Sequence, residues 1–93
     1  MRIYVRLLGD LREIMGKEKL EIELSDNLSL KELIENKLLR YEGLKDYLID
    51  PTTKRIRTDI IILLNERSIE SSFESVMVKD GDIITFAPVI VGG

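Results

Sequence analysis

Ser29-Leu30-Lys31-Glu32-Leu33-Ile34-Glu35-Asn36-Lys37-Leu38-Leu39-Arg40-Tyr41 is the stretch on which the fold turns. Ser29 and Glu32 have the spacing of a capping box, in which hydroxyl and carboxylate each accept from the other residue's backbone N–H. Leu30, Leu33, Ile34, Leu38 and Tyr41 then recur at three- and four-residue steps, so one stripe of a helix is apolar. Lys31, Glu32, Glu35 and Asn36 take the opposite face, and Gly43 stands where a left-handed residue could close the helix. Such a stripe must be buried, and the flanking segments have to supply the surface.

Upstream, Arg2 to Leu8 alternates: Ile3, Val5 and Leu7 on one face, Tyr4, Arg6 and Leu8 on the other. Asp10-Leu11-Arg12-Glu13 has capping-box spacing and predicts a short helical turn that Gly16 stops. Lys19 to Leu24 alternates again, so the two strands are expected to pair antiparallel. Downstream, Leu44 to Ile49 reads as one more helical turn closed by Asp50-Pro51, and Pro51 to Arg55 as a mobile loop. Ile60 to Leu64 is continuously apolar, the pattern of a strand buried on both faces. Asn65 to Ser68 turns the chain, and Ile69 begins a short edge segment. Asp80-Gly81 is a tight-turn signal, and Ile83 to Ala87 is the last strand, with Pro88 expected to end its pairing for want of an N–H.

The expected fold class is therefore α+β: a mixed sheet of about five strands, one main helix across one face, and short extra helical turns. That is the ubiquitin-like β-grasp. Residues 1–93 are expected to form one domain, with 88–93 an extended tail ending in Gly-Gly.

Composition closes off much chemistry. The chain has no cysteine and no histidine, which removes thiolate nucleophiles, zinc thiolate sites and the commonest general base near neutral pH. No glycine-rich phosphate loop can be drawn. Net charge is −3 with both signs interspersed, so no basic footprint for nucleic acid exists. The longest apolar run falls far short of the ~20 residues of a membrane span, and no export signal is read at the start. A cytoplasmic protein without metal or bound cofactor, not an enzyme on its own, is the expectation.

The tail reads differently. Val89, Ile90 and Val91 are β-branched and follow Pro88 directly, where a frayed end is usually polar. Gly92 and Gly93 arise together at a terminus by chance in roughly 0.5% of chains. A glycine carboxylate on a stiff apolar arm is a reactive handle with no side chain in the way.

Four elements in order give the chain a resemblance to the MoaD/ThiS-type ubiquitin-like sulfur carriers. They are Leu11-Arg12-Glu13 with Gly16, Ile62-Leu63-Leu64-Asn65, Val78-Lys79-Asp80-Gly81-Asp82, and Phe86-Ala87-Pro88 through Gly92-Gly93. Many molybdopterin-type members carry two aromatics and two prolines where this chain has Phe86, Ala87, Pro88 and Val89, and the 44–59 loop is longer than in the compact thiamin carriers. Those departures bear on the pathway, not the family.

The resemblance implies a division of labour. An E1-like adenylyltransferase uses ATP to make an acyl-adenylate at Gly93, and a sulfur donor converts it to a thiocarboxylate. Pro88, Val89, Ile90, Val91 and Gly92 thread the partner's channel. Partners grip the sheet face opposite the helix, with Leu8, Ile69 and Phe86 as candidates and Arg12 as an anchor, although a surface pair with Glu13 or Asp10 also accounts for Arg12. The expected partner is the large subunit of molybdopterin synthase, in molybdenum cofactor biosynthesis. A protein modifier, a carrier for tRNA thiolation, thiamin or cysteine synthesis, and an inert β-grasp interaction module are the alternatives.

Overall fold

Residues 1–69 and 73–88 are described by the computed structural model. Strand β1 (Arg2–Leu7) leads through helix α1 (Asp10–Met15) to β2 (Lys19–Glu23). Helix α2 (Leu30–Asn36), a 3-10 turn over Leu38–Arg40 and helix α3 (Glu42–Leu48) follow, then β3 (Ile60–Leu64), β4 (Arg67–Ser68) and β5 (Ile83–Pro88). The sheet order is β2-β1-β5-β3-β4, with β1 and β5 parallel and the other neighbours antiparallel. This mixed sheet with its helices on one face is the β-grasp.

The Ser29 box forms as expected. Glu32 N–H donates to Ser29 Oγ and Ser29 N–H to Glu32 Oε1, both at 3.1 Å. The N–H groups of Leu30 and Lys31 donate to the carbonyls of Val76 and Phe73, at 2.7 and 3.0 Å. The first turn of α2 is thus fully satisfied, half of it by a distant segment. Leu30, Leu33, Ile34 and Leu38 are buried with Ile3, Val5, Leu7, Ile62, Ile84 and Phe86 in one core.

Four local expectations are corrected. The α1 cap is Gly9, not Asp10: φ 57, ψ −133 is open essentially to glycine alone, and Asp10 becomes a first-turn acid. Gly43 does not close α2. It lies inside α3, where a Cβ would stand 2.8 Å from Ile14 Cγ2 and 2.9 Å from Met15 Sδ, so its bareness lets α1 pack against α3. In β3 only Ile62 is fully buried: Ile61 and Leu63 face the side without helices, and Ile60 and Leu64 are only partly covered by the core. Pro88 remains in β5 opposite Ile60: β1 has already ended beside Phe86, and a missing N–H on an edge breaks no ladder.

The segment after α3 folds back on itself. Ile49 bridges Ile56, Asp50 Oδ1 accepts from Thr52 N–H at 2.7 Å, and Arg57 N–H returns to the Leu48 carbonyl. Arg57 and Asp59 form a bidentate pair at 2.9 and 2.6 Å, which holds the Asp59 carboxyl below its ordinary range.

Candidate functional site

β5 sits between β1 and β3 and so occupies the middle of the sheet. Ile84 and Phe86 face the core, while Ile83, Thr85 and Ala87 face the open side. Pairing with β1 stops at Leu7–Phe86, where Gly9 turns the chain into α1. Pairing with β3 continues through Ala87 and Pro88. Beyond Phe86 the strand is therefore held on one side only. Pro88 is exposed and is the last residue described at that end; Val89, Ile90, Val91, Gly92 and Gly93 lie outside the described residues.

Leu8 is 36% exposed, at the corner where β1 ends and β5 runs on. Arg12 belongs to α1 and pairs with Glu18 at 3.6 Å, not with Glu13 or Asp10. Ile69 is half-buried against the core, its N–H donating to the Ile62 carbonyl at 2.8 Å. Phe86 is 0% exposed. Its ring is a packing element between β3 and the helices and presents no contact surface, because β5 parity turns it inward. The four candidates are thus not brought together, and Leu8 alone stands at the tail exit.

The open face offers a different set. Ladder register places Tyr4, Arg6, Ile83 and Thr85 side by side, with Lys19 and Glu21 beyond them on β2 and Ile61 and Leu63 on β3. Ile83 is 42% exposed, unusual for a central strand, and Lys19 Nζ sits 5.0 Å from the Tyr4 ring centroid. Tyr4, Arg6, Glu18, Lys19 and Ile83 line a shallow hollow of about 430 Å³. Strand alternation carried the signal for these residues: every second position of four strands faces a side without helices.

Among the described residues no cluster of acidic side chains could hold a metal ion, and no helix is long and apolar enough to cross a membrane. The N-terminal end of β5 is a polar clamp. Asn65 Oδ1 accepts from Ile83 N–H at 2.9 Å, Asp82 Oδ2 from Lys79 N–H at 2.7 Å, and Asp80 Oδ1 from Arg2 N–H at 2.7 Å. These carboxylates and amides are engaged in holding backbone, so they belong to the frame.

Three solved structures set this architecture among known ones. SAMP1 from Haloferax volcanii superposes with a TM-score of 0.82 at 15% identity over 100% of both chains, a likeness of fold alone. A chain of the protein–protein complex of subunits 1 and 2 of molybdopterin-converting factor from Helicobacter pylori is 30% identical over 100% of both chains, TM-score 0.67. The Amycolatopsis orientalis BexX/CysO complex matches at 27% identity and TM-score 0.70, covering 98% of this chain and 99% of that one. No curated protein matches the chain. The ThiS family matches residues 5–93, from the first core strand through the glycine pair. With the β-grasp sheet in place and the match running its length, the chain belongs to the ThiS family of ubiquitin-like sulfur carriers.

Proposed function

We propose that this protein carries sulfur on the carboxyl group of Gly93, as the small subunit of a molybdopterin synthase. The supporting observation is the full-length 30% identity to a chain of the molybdopterin-converting factor complex. A Gly93 carboxylate oxygen attacks the α-phosphorus of ATP on an E1-like partner, a C–O–P linkage forms, and pyrophosphate leaves. A sulfide-level donor then attacks the carbonyl carbon, the bond to the adenylate oxygen breaks, and AMP departs with the electron pair. One oxygen has been exchanged for sulfur. ATP and donor belong to the partner, in keeping with a chain that has no cysteine or histidine of its own.

Gly92 and Gly93 suit a narrow channel because neither has a Cβ, while Val89, Ile90 and Val91 favour an extended arm. Leu8, Tyr4 and Ile83 on the open side are the contact residues for the partner in this reading. Intact mass after incubation with an E1-like adenylyltransferase, ATP and a sulfur donor tests it. A gain equal to one sulfur-for-oxygen exchange supports the carrier, and an unchanged mass refutes it. A second reading is a protein modifier, because the same activated Gly93 carbonyl is open to attack by a lysine amine of a target. Conjugates that survive denaturation in the same incubation would favour it.

A further inference from the structure

β2 is a free edge: its ladder neighbour is β1, and nothing among the described residues pairs with its other side. The β1 ladder fixes which backbone groups point outward. Leu7 N–H donates to the Glu18 carbonyl and Leu24 N–H to the Met1 carbonyl. In this antiparallel register the bond-exchanging partners are therefore Leu7 with Glu18, Val5 with Leu20, and Ile3 with Ile22. Lys19, Glu21 and Glu23 turn their N–H and C=O groups to the free side.

Edge strands commonly carry charge to prevent pairing. Here the charge is ordered. Lys19 makes the start of the strand basic, Glu21 and Glu23 make the rest acidic, and all three share one parity. An antiparallel copy of this strand centred on Leu20 sets Lys19 against Glu21 of the second copy, twice by symmetry. The outward backbone groups then meet in bond-exchanging pairs, and every cross-strand charge pair is of opposite sign. Centring on Glu21 instead would place two carboxylates face to face. Within one copy Lys19 stands opposite Arg6, a like-charge neighbour. Among the described residues Lys19 and Glu21 enter no ion pair, whereas Glu23 is already held by Arg2.

We propose that β2 is a self-pairing edge, through which two copies of this chain join strand to strand in the Leu20-centred register held by Lys19–Glu21 pairs. The two-fold axis runs through the sheet, so both open faces lie on one side and both β5 exits stay free. A single strand pair is a small interface, so association is weak and falls with added salt.

Sedimentation velocity over a protein concentration series at low salt reads this. Wild-type chain is expected to shift toward dimer at high concentration. K19E and E21K are each expected to weaken association about tenfold, by turning two attractive cross-strand pairs into repulsive ones. The double swap K19E/E21K is expected to restore it. An equimolar mixture of K19E and E21K is expected to dimerise better than either alone, because one edge is then acidic at both positions and the other basic. Wild-type chain that stays monomeric up to its solubility limit overturns the proposal and leaves the edge to a strand of another protein. Failure of the double swap and the mixture to associate overturns the register and with it the proposal.

Discussion

Asn65 Nδ2 donates to Asp82 Oδ1 at 2.8 Å, joining residues 17 apart in sequence at the point where β3 ends and β5 begins. Asn65 also takes the Ile83 N–H on Oδ1 and gives its own N–H to the Ile83 carbonyl. Asn65 thus ties the turn, in which Asn65 and Glu66 have φ of 51 and 70, to the start of β5. Asparagine tolerates that region; glutamate is strained there.

Opposite signs are therefore expected at these neighbours. Asn65→Ala should cost about 0.5–1.5 kcal/mol, since the exposed bonds to Ile83 N–H and Asp82 are lost and water replaces them in part. Glu66→Gly should stabilise by up to about 1 kcal/mol through relief of the left-handed backbone. Urea midpoints of the two variants check this, and a destabilising Glu66→Gly would remove backbone strain from the account.

At Gly43 two effects compete. Alanine would gain about 1 kcal/mol in helix propensity, but its Cβ would meet Ile14 and Met15 below 3.0 Å, and overpacking costs about 1–3 kcal/mol. Gly43→Ala is expected to lose about 1 kcal/mol in the native background and to gain stability once Ile14 and Met15 are both alanine. The thermodynamic cycle, measured by denaturant unfolding, decides whether the α1–α3 approach is what selects glycine.

Tyr47 governs part of the alkaline limit. Burial pushes its phenol above the ordinary 10.0, and the Asp10 carboxylate adds to the effect while Arg57 opposes it. The unfolded chain gives up this proton first, so stability is intact below that value and falls as pH rises through it. Tyr47→Phe is expected to flatten the decline of the unfolding midpoint above pH 10. Parallel curves for the two proteins would acquit Tyr47.

Ile62 and Gly93 should separate folding from activation. Ile62→Asp places an unpaired charge at a position 2% exposed and is expected to unfold the domain. Deleting Gly93 leaves every ladder contact through Ile60–Pro88 in place, so its melting temperature is expected within about 4 °C of wild type. Under the proposed function it abolishes the sulfur-dependent mass gain. Thiocarboxylate formation in the deletion would dismiss Gly93 as the reactive residue.

The framework was legible because periodicity speaks for itself: alternation in β1 and β2 and the Ser29 box reappear in the structure, while the expected stripe from Leu30 to Tyr41 is helical only to Asn36 and ends on the 3-10 turn. Gly43 misled because a glycine at a close helix contact looks like a glycine at a cap. Asp10 misled because Gly9 adopts a backbone that no spacing rule reveals. Phe86 looked like surface for want of knowing which parity of β5 faces the helices. Tyr4 and Ile83 emerged as an open-face pair only once β1 and β5 were seen to lie in parallel register, a contact across nearly the whole chain.

That long-range pairing also governs when the protein can exist. β5 divides two hairpin-like halves, β2-β1 on one side and β3-β4 on the other, and among the described residues nothing else bridges them within the sheet. The halves cannot close until β5 pairs with both of them, and closure that depends on so long-range a contact slows folding. Prematurely terminated copies lack the keystone and remain open.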